Sequence, residues 1–176
     1  ISPQFVKPYV KGNKNDANDA EAICEAVGRP AMRFVPIKSI EQQDIRMLHR
    51  VRSGLVKERT ALANRIRGLL AEYGIIVAIG LVKVRQQLPD ILEDAENDLT
   101  MAARIIFADL QEQLMELDKQ VTTYGEKIQA VHRASEVSQR LSDVPGIGPI
   151  TATALLAALG DGKAFTSARQ VAAWLG

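Results

Sequence analysis

Asp16 and Asp19 stand three residues apart in the run Lys14-Asn15-Asp16-Ala17-Asn18-Asp19-Ala20. On a helix this spacing puts both carboxylates on one face, where they can share a hard divalent cation such as Mg2+, which takes oxygen ligands and keeps several waters for phosphate chemistry. Acids are also what any first helical turn favours, because they cap free amides and complement the helix dipole. Two carboxylates hold Mg2+ poorly, so a working site would recruit acids from elsewhere. Lys11 and Lys14 flank the pair and are candidate contacts to a nucleic-acid backbone.

A second constellation is Val144-Pro145-Gly146-Ile147-Gly148-Pro149-Ile150-Thr151. In a helix-hairpin-helix, a Gly-x-Gly turn exposes backbone amides at the mouth of the following helix, and these donors hold one phosphate irrespective of base sequence. Gly146, Ile147, Gly148 and Thr151 are the residues that would do so. The plain alternative is a turn between packed helices, with glycine present for positive φ and close approach.

The third is a set of cations. Between residues 46 and 67, Arg46, Arg50, Arg52, Lys57, Arg59, Arg65 and Arg67 face one acid, Glu58, whereas residues 90 to 118 hold nine acids against Arg104 alone. Arg46, Arg50 and Lys57 fall near one another at helical spacing, opposite Leu48, Val51 and Leu55, and such a ladder can follow a phosphate backbone. Arg65 and Arg67 extend the candidate surface. A solvated helix face would look similar. His49 and His132 have no second ligand at metal-like spacing and read as packing or surface residues. No phosphate-binding loop, dinucleotide fingerprint or zinc cluster is present.

These residues need elements to position them. The opening Pro3-Gln-Phe-Val-Lys-Pro-Tyr-Val-Lys11 alternates apolar and polar residues and predicts a short strand. Asn15 or Asp16 caps an alanine-rich helix from 17 to 27, ended by Gly28 and Pro30. Residues 32–39, MRFVPIKS, predict a second extended piece. From Ile40 to Glu72, Leu48, Val51, Leu55, Leu62, Ile66 and Leu69 draw one apolar stripe along a long helix. A helix from Val82 to Leu88 should stop before Pro89. A second long helix, about Asn97 to Val137, carries Leu110, Leu114, Leu117, Val121, Tyr124, Ile128 and Val131 in heptad register, the pattern of a coiled coil within the chain or between chains. The two long helices are expected to pack antiparallel. Ser142 or Asp143 should cap the closing segment, with a tight turn at Pro145 to Gly148, a small-residue helix, and a last helix through Val171 and Trp174.

With 47% hydrophobic residues in 176 and a net charge of only +1, the composition is that of a folded globular chain, neither disordered nor strongly basic. The longest apolar run, near Ile75 to Val82, is broken by Gly80 and is too short to span a bilayer, so no membrane partner is expected. One cysteine, Cys24, forms no internal disulfide; it fits a small buried side chain in a reducing cytoplasm. The chain begins with Ile1 and stops in an apolar run at Gly176, which reads as a piece of a longer protein.

The order of these pieces resembles the insertion-sequence family 110 transposases, with PQFVKPYVKGNKNDANDAEAICEA, then MRFVPIKS, then MLHRVRSGLVKERTALANRIRGLLAEYGI, then RLSDVPGIGPITATALLAALGDGKAF through ARQVAAWLG. The resemblance covers essentially the whole chain. It implies a DNA recombinase whose amino-terminal RuvC-like domain has a ribonuclease H-like fold and an Asp-Glu-Asp-Asp set of carboxylates that holds Mg2+. Asp16 and Asp19 match the last two of that set. It also implies a serine in the carboxy-terminal domain that attacks DNA; that serine would lie beyond Gly176, and Ser142 and Ser167 do not match it. Family members are similar in being guided by a structured RNA.

The expected architecture is therefore mostly α. Residues 1–39 would be the end of an α/β ribonuclease H-like metal domain, 40–138 a long antiparallel coiled-coil hairpin, and 139–176 the start of a helical, helix-hairpin-helix-like domain. The expected function is DNA transposition by a bacterial, cytoplasmic protein that takes DNA and a guide RNA and pairs with copies of itself through the coiled coil, the piece alone being inactive. The alternatives are a non-catalytic nucleic-acid-binding remnant and a coiled-coil scaffold whose glycines and aspartates are only turns and caps.

Overall fold

A computed structural model of the chain describes every residue except 2, 14, 31, 33, 35, 36, 161, 163, 164, 166 and 176, and only the backbone of 173–175. It is mostly helical, with no strand among the described residues. Two compact units divide the chain at Ser39, one of residues Ile1–Ser39 and one of Ile40–Gly176.

In the first unit the expected strand over the opening residues is instead a helical turn, α1 (Pro3–Val6), followed by a 3-10 turn at Lys7–Tyr9. Both prolines favour this outcome: each fixes φ near the helical value and lacks an N–H that a first turn leaves unpaired anyway. A strand would need a partner for its ladder, and the described residues contain none. Helix α2 (Asp16–Val27) begins where capping chemistry places it, with the Asn15 side chain accepting from Asn18 N–H at 2.7 Å. Ala22 and Ala26 are its buried residues, while Cys24 is exposed rather than buried, because it lies off that alanine stripe. The Asn18 side chain donates to Asn13 O at 2.8 Å and so ties the preceding Gly12-Asn13 turn to α2. The Arg29 guanidinium covers the Tyr9 ring at 5.5 Å and pairs with Glu25. Of the second expected extended piece, residues 32, 34 and 37–39 are in no strand, and 33, 35 and 36 lie outside the described residues.

The second unit is built on two long helices, α3 (Ile40–Glu72) and α5 (Met101–Ala134). Arg59 meets Asp118, and Tyr73 meets Phe107 edge-on with ring centroids 6.4 Å apart, so sequence numbers fall on one helix as they rise on the other and the pair is antiparallel. The apolar stripe of α3 supplies the buried Leu62, Ile66 and Leu70, and the heptad of α5 supplies Leu114, Val121 and Ile128. Removing these side chains from water drives the pairing, each worth roughly 1.5–3 kcal/mol.

Between them α4 (Leu81–Glu93) folds back on the pair and contributes Val84 and Leu88 to the same core. It continues through Pro89 instead of stopping before it. The lost hydrogen bond is offset because Ile91 and Leu92 still pack on the core, and Arg104 closes the helix end by donating to Leu92 O at 2.6 Å and Asp94 O at 2.7 Å. Asn97, expected to open the second long helix, lies in this connection and donates to Ile91 O at 2.7 Å. The start of α5 is set by Thr100, whose hydroxyl accepts from Ala103 N–H at 3.1 Å.

The far end of α5 also differs from the sequence expectation. It stops at Ala134, and Ser135 caps a separate short helix, α6 (Glu136–Ser142). Ser142 and Asp143 consequently end a helix, with Ser142 Oγ donating to Gln139 O at 2.6 Å and Asp143 in the C-cap position. The cap of the small-residue helix α7 (Pro149–Leu159) is Gly148, with no side-chain hydrogen bond. Alanine and threonine along α7 let it lie close against α3, α5 and α6. The last helix, α8, spans Ala168–Leu175.

Candidate nucleic-acid interface and carboxylate pair

Asp16 and Asp19 sit in the first turn of α2, on neighbouring positions of one face, with Asp16 exposed and Asp19 partly exposed. Asn15, not either aspartate, provides the cap, so both carboxylates are left for another partner. No cluster of three or more His, Cys, Asp or Glu suited to a metal occurs among the described residues. The chemistry of the pair fits a hard cation, but two carboxylates by themselves hold one poorly. Lys11 lies in the same unit and approaches Glu21 at 3.8 Å, both side chains largely exposed. Lys14 lies outside the described residues.

The seven cations of α3 separate into four groups. Arg46, Arg50 and Lys57 are exposed and make no ion pair among the described residues. At about 100° per residue they occupy one strip of the helix surface, some 16 Å long. Arg65 is exposed but lies off that strip. Arg67 is turned toward the hairpin end, where its Nε donates to Val77 O at 3.0 Å. Arg52 and Arg59 face α5 instead. Arg59 pairs with Asp118 at 3.1 Å, and Arg85 of α4 reaches the same Oδ1. Arg52 lies against Gly125, where a Cβ would stand 3.9 Å from its Nε. Thus only part of the basic run is open to a polyanion, and Arg59 bonds α3 to α5.

The Gly146–Gly148 turn joins α6 to α7. Gly146 has φ of +90°, a conformation that L side chains avoid, while Gly148 is extended. Ile147 N–H donates to Val144 O at 3.0 Å and is therefore engaged within the turn. Pro149 has no N–H. The free donors at the mouth of α7 are then those of its first turn, including the exposed Thr151, in the absence of a side-chain cap.

The histidines, unassigned to chemistry by spacing, serve as joints. His49 Nε2 lies 2.9 Å from Thr153 Oγ1, and Thr153, fully buried, also donates to Pro149 O at 2.8 Å. With its hydroxyl proton committed to that carbonyl, Thr153 accepts from the imidazole N–H. Burial, and then the neighbouring Arg52, hold the His49 pKa below its ordinary value. His132 makes a similar contact to buried Ser138 at 2.9 Å and ties α5 to α6. The sequence offered no signal for either contact, since their partners are 104 and six residues away.

The second joint between α3 and α7 is tighter. A Cβ at Gly160, whose φ is +64°, would stand 2.9 Å from Gln42 Nε2. The two joints, 49 with 153 and 42 with 160, show that α7 runs antiparallel to α3. Continued in the same register, the 146–148 turn comes level with α3 residues between Arg50 and Lys57, on the adjoining side of that helix. The antiparallel course thus directs the start of α7 toward the stretch of α3 that holds Arg50 and Lys57, about 90 residues away in sequence. It places Asp16 and Asp19 in the other unit.

Two family models match the two ends of the chain. A transposase family model matches residues 1–75, and the model described as the transposase IS116/IS110/IS902 family matches residues 138–176. A family 20 transposase of Pseudomonas aeruginosa is 48% identical over the whole chain, which covers 52% of that protein. The transposase for insertion sequence element IS1111A of Coxiella burnetii is 46% identical over the whole chain, covering 48% of that protein. The transposase for insertion sequence element IS1328 of Yersinia enterocolitica is 40% identical over the whole chain, covering 52% of it. The chain thus spans about half the length of the curated relatives it matches. No solved structure matches it. With both family models and these relatives in agreement across its length, the chain belongs to the IS110 family of insertion-sequence transposases.

Proposed function

We propose that the protein to which this chain belongs cuts and rejoins DNA strands during transposition, and that the chain supplies part of its metal-binding carboxylates and part of its nucleic-acid surface. The single observation that carries the second half is the segregation of charge: Arg46, Arg50 and Lys57 form an exposed strip with no acidic partner, while nine acids lie on the stretch from Asp90 to Asp118. Such a strip attracts a phosphate backbone by releasing its counterions, without reading bases. The free amides of the first turn of α7, that of Thr151 among them, would add a fixed phosphate contact.

Asp16 and Asp19 would hold Mg2+ together with acids from outside this chain. Bound there, the cation would polarise a phosphodiester and stabilise charge on its oxygens. The two carboxylates supply negative charge, one helical face and exposure sufficient for a phosphate to approach. The attacking serine belongs to the remainder of the protein, as does enough of the active site that these 176 residues alone perform no strand exchange. Family membership also supports guidance by a structured RNA, and the strip on α3 is the surface suited to it. Pairing of copies through a coiled coil belongs to the same reading; because Leu114, Val121 and Ile128 of the heptad are buried within the chain, such pairing would use outer faces of the hairpin. No helix among the described residues is long and apolar enough to cross a membrane.

The test is made in the full-length protein. Asp16→Asn and Asp19→Asn should each abolish recombination while leaving nucleic-acid binding unchanged. Recombination by both variants at the unaltered rate would remove these residues from the active site.

A further inference from the structure

Two contacts decide how α7 lies on α3. The first is the His49 to Thr153 hydrogen bond at 2.9 Å, between a partly buried imidazole and a fully buried hydroxyl. The second is the approach of Gln42 to Gly160, with no room for a Cβ between them. They are seven residues apart on each helix, two turns, so they fix both the direction and the register of α7. A slip by one turn would move the 146–148 turn by about 5.4 Å along α3.

The apolar contacts of α7 do not by themselves specify this register: its sequence, PITATALLAAL, mixes four alanines with Ile150, Leu155, Leu156 and Leu159, and apolar burial is non-directional. Thr153 is the polar residue buried within it, and a buried hydroxyl facing a wrong neighbour loses its hydrogen bond. His49 lies on the side of α3 next to the strip of Arg46, Arg50 and Lys57, roughly a quarter-turn away.

We propose that His49 and Thr153 are positioning residues of the nucleic-acid interface: their hydrogen bond holds α7 in the register that opens the 146–148 turn between Arg50 and Lys57, making one phosphate-binding surface of two. The inference rests on the reading of that strip as a nucleic-acid contact. Neither residue touches the nucleic acid itself. Their effect is on where the turn stands, so breaking the bond changes the number of phosphates engaged while the cations of α3 stay in place.

The experiment measures binding of the 176-residue chain to a fluorescent double-stranded DNA oligonucleotide across a salt series. Arg46, Arg50 and Lys57 changed together to alanine test the underlying reading, and should flatten the salt dependence by about three contacts. Thr153→Val, of equal shape, should weaken binding roughly two- to tenfold and lower the salt slope by about one contact. Thr153→Ser restores the hydroxyl and should restore both values. His49→Gln can still donate to Thr153 and should bind as the parent does, while His49→Phe should behave like Thr153→Val. If Thr153→Val loses its helical signal, the His49 pair carries the test alone. Parent-like affinity and slope in Thr153→Val and His49→Phe, with the alanine triple variant impaired, would overturn the positioning role and leave the strip intact. No loss in the triple variant, or no binding by the parent chain, would overturn the strip and the positioning role together.

Discussion

Arg59 Nη1 of α3 lies 3.1 Å from Asp118 Oδ1 of α5, and through this pair the two long helices are joined near the middle of their contact. Arg85 of α4 reaches the same oxygen, so one carboxylate faces two guanidiniums. Arg59 and Asp118 are mostly buried, with side-chain exposures of 20% and 25%. Asp118→Asn would leave two cations facing each other with no anion between them. It should destabilise the second unit by about 1–3 kcal/mol, read as a shift in the urea midpoint at unchanged slope. Because Asp118 lies outside the strip of Arg46, Arg50 and Lys57 proposed to bind nucleic acid, the variant should bind DNA as the parent does at temperatures where it is folded.

The pH dependence of stability should carry the signature of His49. Burial lowers its pKa in the folded chain below the value near 6.5 that it has when unfolded. The unfolded state therefore binds more protons in the window between the two values. The contribution of neutral His49 to stability is full above about pH 6.5 and is lost as pH falls through the folded pKa. Urea unfolding at pH 7.5, 6 and 5 should show the parent chain losing stability relative to His49→Gln on acidification. Parallel curves for the two proteins would show that the imidazole titrates alike in the folded and unfolded states.

Glycine has opposite meanings at two places in the second unit. Gly68 lies mid-helix in α3 and is exposed, with nothing within 4 Å of an added Cβ. Gly68→Ala should stabilise by up to about 1 kcal/mol. Gly160, at φ +64° with Gln42 at 2.9 Å, can accept no side chain without strain and a displaced partner. Gly160→Ala should destabilise by about 1–3 kcal/mol, and thermal melts of the two variants should shift in opposite directions.

Charge reversal separates a phosphate-tracking strip from a merely solvated one. Arg46→Glu, Arg50→Glu and Lys57→Glu combined should reduce DNA affinity by at least about tenfold at low salt, with the difference shrinking as salt rises. Arg67→Gln should matter less for binding and more for stability, since that side chain holds the loop carbonyl of Val77. Equal salt-dependent losses in both variants would contradict the assignment of their separate roles.

Most of the secondary structure is legible locally. The stripe of Leu62, Ile66 and Leu69, the heptad from Leu110 to Val131, and the Asn15 cap each announce a helix through contacts of a few residues, and periodicity reports such contacts directly. The opening segment is not a strand because alternation over so few residues also suits a proline-started turn, and a strand exists only if another pairs with it. Helix α4 passes Pro89 because its continuation depends on Ile91 and Leu92 reaching a core made by other helices, which no local pattern records.

The candidate site divides in the same way. By itself the sequence singled out the candidate residues: the Asp16 and Asp19 pair at helical spacing, the excess of cations on α3, and the Gly146–Gly148 turn. Tertiary structure alone decided which of them are available and which stand together. It turned Arg52 and Arg59 inward, tied Arg67 to Val77, and ran α7 antiparallel along α3. The reason is physical: residue type and spacing fix charge and helical face, but the face that remains exposed depends on what packs against it, here α5 and α7, from remote parts of the chain.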